Sequence, residues 1–237
     1  VRLVADRVPA GSPGALPAPE DLRGDGVVGV LHRPVGTPIA AAVITHGAGS
    51  DHDALVLRLL AAELADRGLL VARIDLPYRQ KRPKGPPSPS GAAADRAGIA
   101  AAAQVVRGLG VDAGCTGPLI VGGHSYGGRQ ASTAVAEDPS VADALLLTSY
   151  PLHPPGKPER ARTEHLPTIS CPTVVVHGPS DPFATTDEIT AALDLIPGAT
   201  TLVEIPGTGH DLRPDRKPTA AMTADAVLAH LLHTVTD

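Results

Sequence analysis

The chain has 237 residues, a formal net charge of -5 and 43% hydrophobic residues. That length and apolar content suit a globular domain with a sizeable core and exclude a chain that stays unfolded. The mildly acidic balance carries no basic stripe for nucleic acid, and no apolar run approaches the roughly 20 residues that a membrane span needs. Residues Val1 to Ala10 carry Arg2, Asp6 and Arg7 without an apolar stretch, so no signal peptide is expected. Only two cysteines, Cys115 and Cys171, are present, so the expectation is free thiols and a cytoplasmic location. Aromatic residues are scarce, just Tyr78, Tyr126, Tyr150 and Phe183, so the core must be built from Ala, Val, Leu and Ile.

In chain order, residues 1–26 are rich in Gly, Pro and Ala and read as an irregular start with one strand at most. Val27 to His32 reads as a strand, and Ile39 to Thr45 as a stronger one, closed by His46-Gly47-Ala48-Gly49. Asp53 is placed to cap a helix through Leu55, Leu59, Leu60 and Leu64 to Arg67, with Gly68 at its end. Leu69 to Asp75 returns to strand. Leu76 to Ser90, dense in Pro, Lys and Arg, is expected to be a loop without regular structure. An Ala-rich helix spans Ala92 to Leu109, and a strand from Pro118 leads into Gly123-His124-Ser125-Tyr126-Gly127, followed by a helix to Glu137. Ala144 to Ser149 and Pro172 to His177 read as buried strands, joined by an aperiodic connection from Tyr150 to Ser170. Thr185 with Glu188 forms a capping box for a helix to Leu195. Thr200 to Ile205 is the last strand, and Pro218 opens a helix to about His233. Strands alternating with helices predict one α/β domain over residues 1–237, with a mostly parallel sheet covered on both faces.

In such sheets, sites form at the carboxyl ends of strands. The G-x-S-x-G around Ser125 lies between a strand and a helix, the context that exposes a serine on a sharp turn. A serine hydroxyl is a weak nucleophile and needs a hydrogen-bonded base, itself oriented by a carboxylate. His210, after the last strand, is the candidate base, and Asp181, after the penultimate one, the candidate acid. Ser125, Asp181 and His210 then follow in the Ser…Asp…His order that accompanies this elbow. Asp187 reads as a first-turn helix residue. Asp211 is too near the base in sequence to face its far nitrogen, and Asp143 precedes a strand and falls at the wrong edge. Backbone amides of Ala48 and Tyr126 are the expected oxyanion donors. Tyr78, Tyr150 and Phe183 also follow strand ends and are expected to rim a pocket for an apolar part of the substrate. His124 is expected to pack behind the elbow. No metal or cofactor is expected, because His32, His46, His52 and His124 lack carboxylate or thiolate partners at ligand spacing.

Taken together, the elbow, Asp181, His210 and the 46–49 loop resemble the α/β-hydrolase superfamily over nearly the whole chain. Within it, Tyr150-Pro151-Leu152-His153-Pro154-Pro155-Gly156-Lys157-Pro158-Glu159, with Arg162-Thr163-Glu164-His165-Leu166, Asp181-Pro182-Phe183 and Leu76-Pro77-Tyr78, resembles a small dienelactone-hydrolase-like family. That family includes the testis-expressed hydrolase-like protein and a histone acetyltransferase complex subunit. The resemblance implies a hydrolase fold with Ser125, Asp181 and His210 in the triad positions and no defined substrate. Dienelactone hydrolases proper carry a cysteine nucleophile where this chain has Ser125.

The expected function is therefore serine hydrolysis of a carboxylic ester or thioester, with a small-molecule acyl substrate as partner. The short connection between residues 149 and 172 leaves no room for a large lid domain. Two alternatives stay open at this level: a non-catalytic interaction module that keeps the fold, and an acyltransferase using the same three residues.

Overall fold

The computed structural model describes residues 2–4, as backbone, and 15–232. Among the described residues, nine strands form one sheet: β1 (Arg2–Val4), β2 (Glu20–Gly24), β3 (Val27–His32), β4 (Ala40–Thr45), β5 (Leu69–Ile74), β6 (Leu119–His124), β7 (Ala144–Thr148), β8 (Thr173–His177) and β9 (Thr200–Glu204). The described residues also form six α-helices: α1 (Leu55–Asp66), α2 (Pro77–Lys81), α3 (Ala92–Asp112), α4 (Tyr126–Glu137), α5 (Thr186–Leu193) and α6 (Thr219–His230). The strand order is β1-β2-β3-β5-β4-β6-β7-β8-β9. β1, β2 and β3 pair antiparallel, as does β3 with β5, and every pairing from β5 to β9 is parallel. The chain runs from β4 outward to β5 and then crosses to β6 on the other side of β4. The carboxyl ends of β4 and β6 are thus the switch point where open α/β sheets bind ligands.

Burial follows the sequence pattern. Every residue of β4, β5, β7 and β8 is buried, as expected for parallel strands covered on both faces. One face packs Ile44, Val71, Ile120, Val174 and Val176 against Leu57, Leu60 and Leu64 of α1 and Val227 of α6. The other packs Val43, Leu70, Val121, Leu145 and Val175 against Ile99 and Val106 of α3, Val135 of α4 and Ile189 of α5. At roughly 1.5–3 kcal/mol for each fully buried aliphatic side chain, these two layers supply most of the folding drive, with Tyr78 and Tyr150 the aromatic side chains buried among them.

Three local readings change. The start of the chain holds two strands, and β2 and β3 meet through a two-residue hairpin at Asp25 (φ 53°) and Gly26 (φ 77°). Asp-Gly with both residues at positive φ is the preferred type I′ connection, a signal present in the sequence. Asp53 does not cap α1, whose N-cap is Ala54; its carboxylate instead lies 2.6 Å from Arg73 Nη1, a pairing across 20 residues that local pattern does not reveal. The 76–90 segment contains the short helix α2, begun by Pro77 at a position where a missing N–H costs nothing. The Thr185–Glu188 capping box has both reciprocal bonds in place.

Candidate active site

Strand β6 delivers Ser125 onto a backbone with φ 53° and ψ -117°, a conformation that a side chain disfavours. The surrounding glycines are steric necessities. A Cβ on Gly127 would lie 2.6 Å from the His46 carbonyl oxygen and closer still to Thr45 Oγ1. One on Gly128 would lie 2.6 Å from the Gly123 carbonyl oxygen. Only glycine lets the start of α4 press this tightly against the end of β4. Ser125 N–H donates to the Thr148 carbonyl at 2.8 Å, which ties the elbow to the neighbouring strand β7.

The other predicted members converge on that serine. His210 Nε2 lies 2.8 Å from Ser125 Oγ, and His210 Nδ1 lies 2.8 Å from Asp181 Oδ2. The second Asp181 oxygen accepts the Phe183 N–H at 2.9 Å, so both oxygens of this buried carboxylate are directed. Ser149 Oγ donates to the His210 carbonyl at 2.8 Å and holds the histidine loop from behind. Gly178 lets the acid and base loops touch, since a Cβ there would lie 2.7 Å from Thr208 Oγ1. Among the rejected acids, Asp143 sits at the opposite edge, where its Oδ2 accepts from Leu119 N–H at 2.7 Å and from Arg107 at 3.0 Å. Chemically, the aligned bonds allow a proton to pass from Ser125 Oγ to His210 Nε2 while Asp181 holds the Nδ1–H tautomer.

The loop after β4 lies against the elbow, with Gly47 in van der Waals reach of Ser125: a Cβ on it would sit 3.5 Å from Ser125 Cβ. His46 is wholly buried, and its Nε2 accepts the Leu76 N–H at 3.1 Å. The ring proton therefore sits on Nδ1, which donates to the Gly47 carbonyl at 2.9 Å. Burial holds the His46 pKa below its ordinary value despite the opposing effects of that carbonyl and of Asp75. His124, half-buried at the elbow, also packs against the candidate base. Its ring is 5.4 Å from that of His210, and its Nδ1 is 3.3 Å from Thr148 Oγ1. Burial, and then the neighbouring His210, push His124 down to about 4, so it stays neutral beside the candidate base.

The aromatic residues divide. Phe183 is half-buried with its ring centroid 4.4 Å from that of His210, at the mouth of the site. Tyr150 does not rim a pocket: it is 2% exposed, and its hydroxyl donates to the Arg162 carbonyl at 2.9 Å, bracing the 150–170 connection. Tyr78 is likewise turned inward, 7% exposed, with its hydroxyl 2.9 Å from the Ala48 carbonyl. Both reach inward because a mostly aliphatic core leaves their rings as the large side chains able to anchor long loops. Three supporting residues escape the sequence reading: Arg79, Asp95 and Ser149. Asp95 had a visible signal, since it shares the inward stripe of α3 with Ile99, Ala102 and Val106. A carboxylate on an apolar face needs buried donors.

The 150–170 connection carries only short 3-10 turns at Pro158–Arg160 and Leu166–Thr168, and no lid domain covers the site among the described residues. No helix among the described residues is long and apolar enough to cross a membrane.

Comparison with known proteins agrees with this architecture. A family model described as "Alpha/beta hydrolase domain" matches residues 38–237. No curated protein sequence matches the chain. Among solved structures, it is similar to a dienelactone hydrolase from Anabaena variabilis, at TM-score 0.66 and 21% identity over 86% of this chain and 92% of that one. It is similar also to Est1E from Butyrivibrio proteoclasticus, at TM-score 0.67 and 17% identity over 89% and 98% of the two chains. A third is XC6422 from Xanthomonas campestris, described as a serine hydrolase without lid, at TM-score 0.61 and 18% identity over 92% and 94%. At these identities the structures speak for the fold, and the family match covers most of the sequence: the chain belongs to the alpha/beta hydrolase family.

Proposed function

We propose that the protein is a serine hydrolase that cleaves a carboxylic ester or thioester through an acyl-enzyme. The reading rests on one observation above all, the unbroken Asp181–His210–Ser125 relay with both links at 2.8 Å, ending on a serine held at positive φ. In this reading Ser125 Oγ attacks the acyl carbonyl as His210 Nε2 takes its proton. Asp181 keeps the imidazole in the required tautomer and stabilises the imidazolium. The amides of Ala48 and Tyr126 receive the oxyanion; Tyr126 opens α4, where first-turn N–H groups have no intrahelical acceptor. His210 then returns the proton to the leaving alkoxide or thiolate. Water, deprotonated by the same histidine, releases the acid.

Phe183, beside the His210 ring, would contact the acyl or leaving group. The absence of a cover over the site among the described residues favours short or mid-length acyl groups presented from solvent. The motifs from Tyr150 to Leu166 and at Asp181-Pro182-Phe183 favour a place in the small dienelactone-hydrolase-like group that includes the testis-expressed hydrolase-like protein. Ser125 in place of cysteine argues for ordinary esters over dienelactone. The free thiols at Cys115 and Cys171 fit a cytoplasmic setting.

The test is labelling by a fluorophosphonate probe, followed by hydrolysis of p-nitrophenyl esters and acyl thioesters of increasing chain length. Wild type labels and turns over, and Ser125→Ala does neither. A folded wild type that takes no label would favour a non-catalytic module. Products formed on added alcohols or amines would redirect the reading to acyl transfer.

A further inference from the structure

The loop that carries Ala48 is gripped from beneath by side chains that the hydrolytic scheme does not use. The Gly47 carbonyl accepts from four donors: His46 Nδ1–H at 2.9 Å, Ser50 N–H at 3.2 Å, the Tyr78 hydroxyl at 3.2 Å and, more weakly, the Ser50 hydroxyl at 3.4 Å. The peptide bond between Gly47 and Ala48 is planar and trans, so its N–H points opposite to its C=O. Buried donors that hold the Gly47 oxygen inward therefore turn the Ala48 N–H outward. The next carbonyl, that of Ala48, accepts the Tyr78 hydroxyl at 2.9 Å and faces Arg79 Nη2 at 3.5 Å. Arg79 Nε donates to the Ser50 carbonyl at 2.7 Å. Arg79 is 5% exposed, and its guanidinium also donates to the Arg82 and Gly85 carbonyls, at 3.1 and 3.2 Å.

The same tyrosine is tied to the other side of the site. Tyr78 N–H donates to Asp95 Oδ1 at 3.0 Å, and the Tyr126 hydroxyl donates to Asp95 Oδ2 at 2.8 Å. Asp95 is wholly buried, and the Tyr78 and Tyr126 rings meet edge to face at 5.9 Å. One carboxylate thus links the residue beneath Ala48 to the residue after the nucleophile.

We infer that Tyr78, anchored by Asp95 and flanked by Arg79, is a positioning residue that sets the Ala48 amide relative to the Tyr126 amide. The inference rests on the serine-hydrolase reading and extends it. An oxyanion acts on both amides at once, and the stabilisation depends on donors being already in place when charge develops. A hydroxyl that bridges two successive carbonyls supplies that preorganisation without touching the substrate.

The test compares wild type, Tyr78→Phe, Asp95→Asn and Tyr126→Phe, with rates normalised to the sites titrated by a fluorophosphonate. The substrate is p-nitrophenyl butyrate, and the inhibitor is a trifluoromethyl ketone, whose adduct with Ser125 carries the oxyanion. Tyr78→Phe keeps the ring and removes only the hydroxyl. It is expected to lower kcat per active site roughly 10–100-fold, a fraction of the loss of a whole donor. KM should stay within about 2-fold, and ketone affinity should weaken by the same factor as kcat. A merely structural role would reduce the fraction of titratable sites or the melting temperature, leaving kcat and ketone affinity per active site unchanged; that result overturns the inference. Asp95→Asn, or Tyr126→Phe if the asparagine variant does not fold, should show the same signature in weaker form, and its absence in both would also overturn it. A wild type inert to substrate and probe removes the hydrolase reading itself, and the positioning role with it. An active wild type matched by Tyr78→Phe removes the positioning role alone.

Discussion

The backbone at Ser125 makes a prediction that separates catalytic geometry from stability. At φ 53° and ψ -117°, the Ser125 Cβ is held where L residues are strained by about 1–3 kcal/mol, whereas glycine is not. Ser125→Ala removes the 2.8 Å bond to His210, worth about 1 kcal/mol net, and keeps the Cβ and its strain. Ser125→Gly removes the same bond and releases the strain, against about 0.5–1 kcal/mol for the extra freedom of glycine in the unfolded chain. The glycine variant should therefore be more stable than the alanine variant by about 1 kcal/mol, or about 2–4 °C in Tm for a chain of this length. Differential scanning calorimetry of the two inactive variants, side by side, reads this directly. A glycine variant that melts at or below the alanine variant would refute the claim that the fold stores strain at the nucleophile.

Other substitutions probe the remaining links. In Asp181→Asn, the Phe183 N–H will claim the amide oxygen and leave the NH₂ group facing His210 Nδ1. That arrangement forces the proton onto Nε2, so kcat should fall roughly 10³–10⁴-fold with little change in KM, measured on p-nitrophenyl butyrate. Gly127→Ala would drive a Cβ into the His46 carbonyl and Thr45 Oγ1, and should cost about 1–3 kcal/mol or more in urea denaturation and suppress fluorophosphonate labelling. A wild-type midpoint would contradict the close approach. Acid should destabilise the fold, because burial and the adjacent Arg73 hold His32 at about 4 while the unfolded histidine titrates near 6.5. Between those values the unfolded state binds the extra proton, so stability is retained above pH 6.5 and falls toward pH 4, by at most about 1.4 kcal/mol per pH unit for this group. His32→Gln can still accept from Arg73 Nε and should flatten that slope in denaturation series at pH 7, 6 and 5.

The order of strands and helices was written in the sequence because local chemistry decides it. Apolar runs such as Ala-Ala-Ala-Val-Ile-Thr at β4, the capping box at Thr185 and Pro218 before α6 each act within a few residues. The three residues of the relay were legible for a related reason. An elbow serine, and an acid and a histidine after the last strands, must fall at the carboxyl edge once the sheet is parallel. Even the β2–β3 hairpin had its Asp25-Gly26 signal. What local pattern could not assign was the direction of side chains whose partners are far away in the chain. Asp53 belongs to Arg73 and not to the start of α1; Tyr78 and Tyr150 are buried and anchor loops; His124 stands beside His210. Asp95, in the first turn of an Ala-rich helix, joins residues 17 and 31 positions away. Such contacts are fixed by which loops the switch point at β4 and β6 brings together. Periodicity reports a residue's face but not its distant partner, so the tertiary structure alone decided how the site is held.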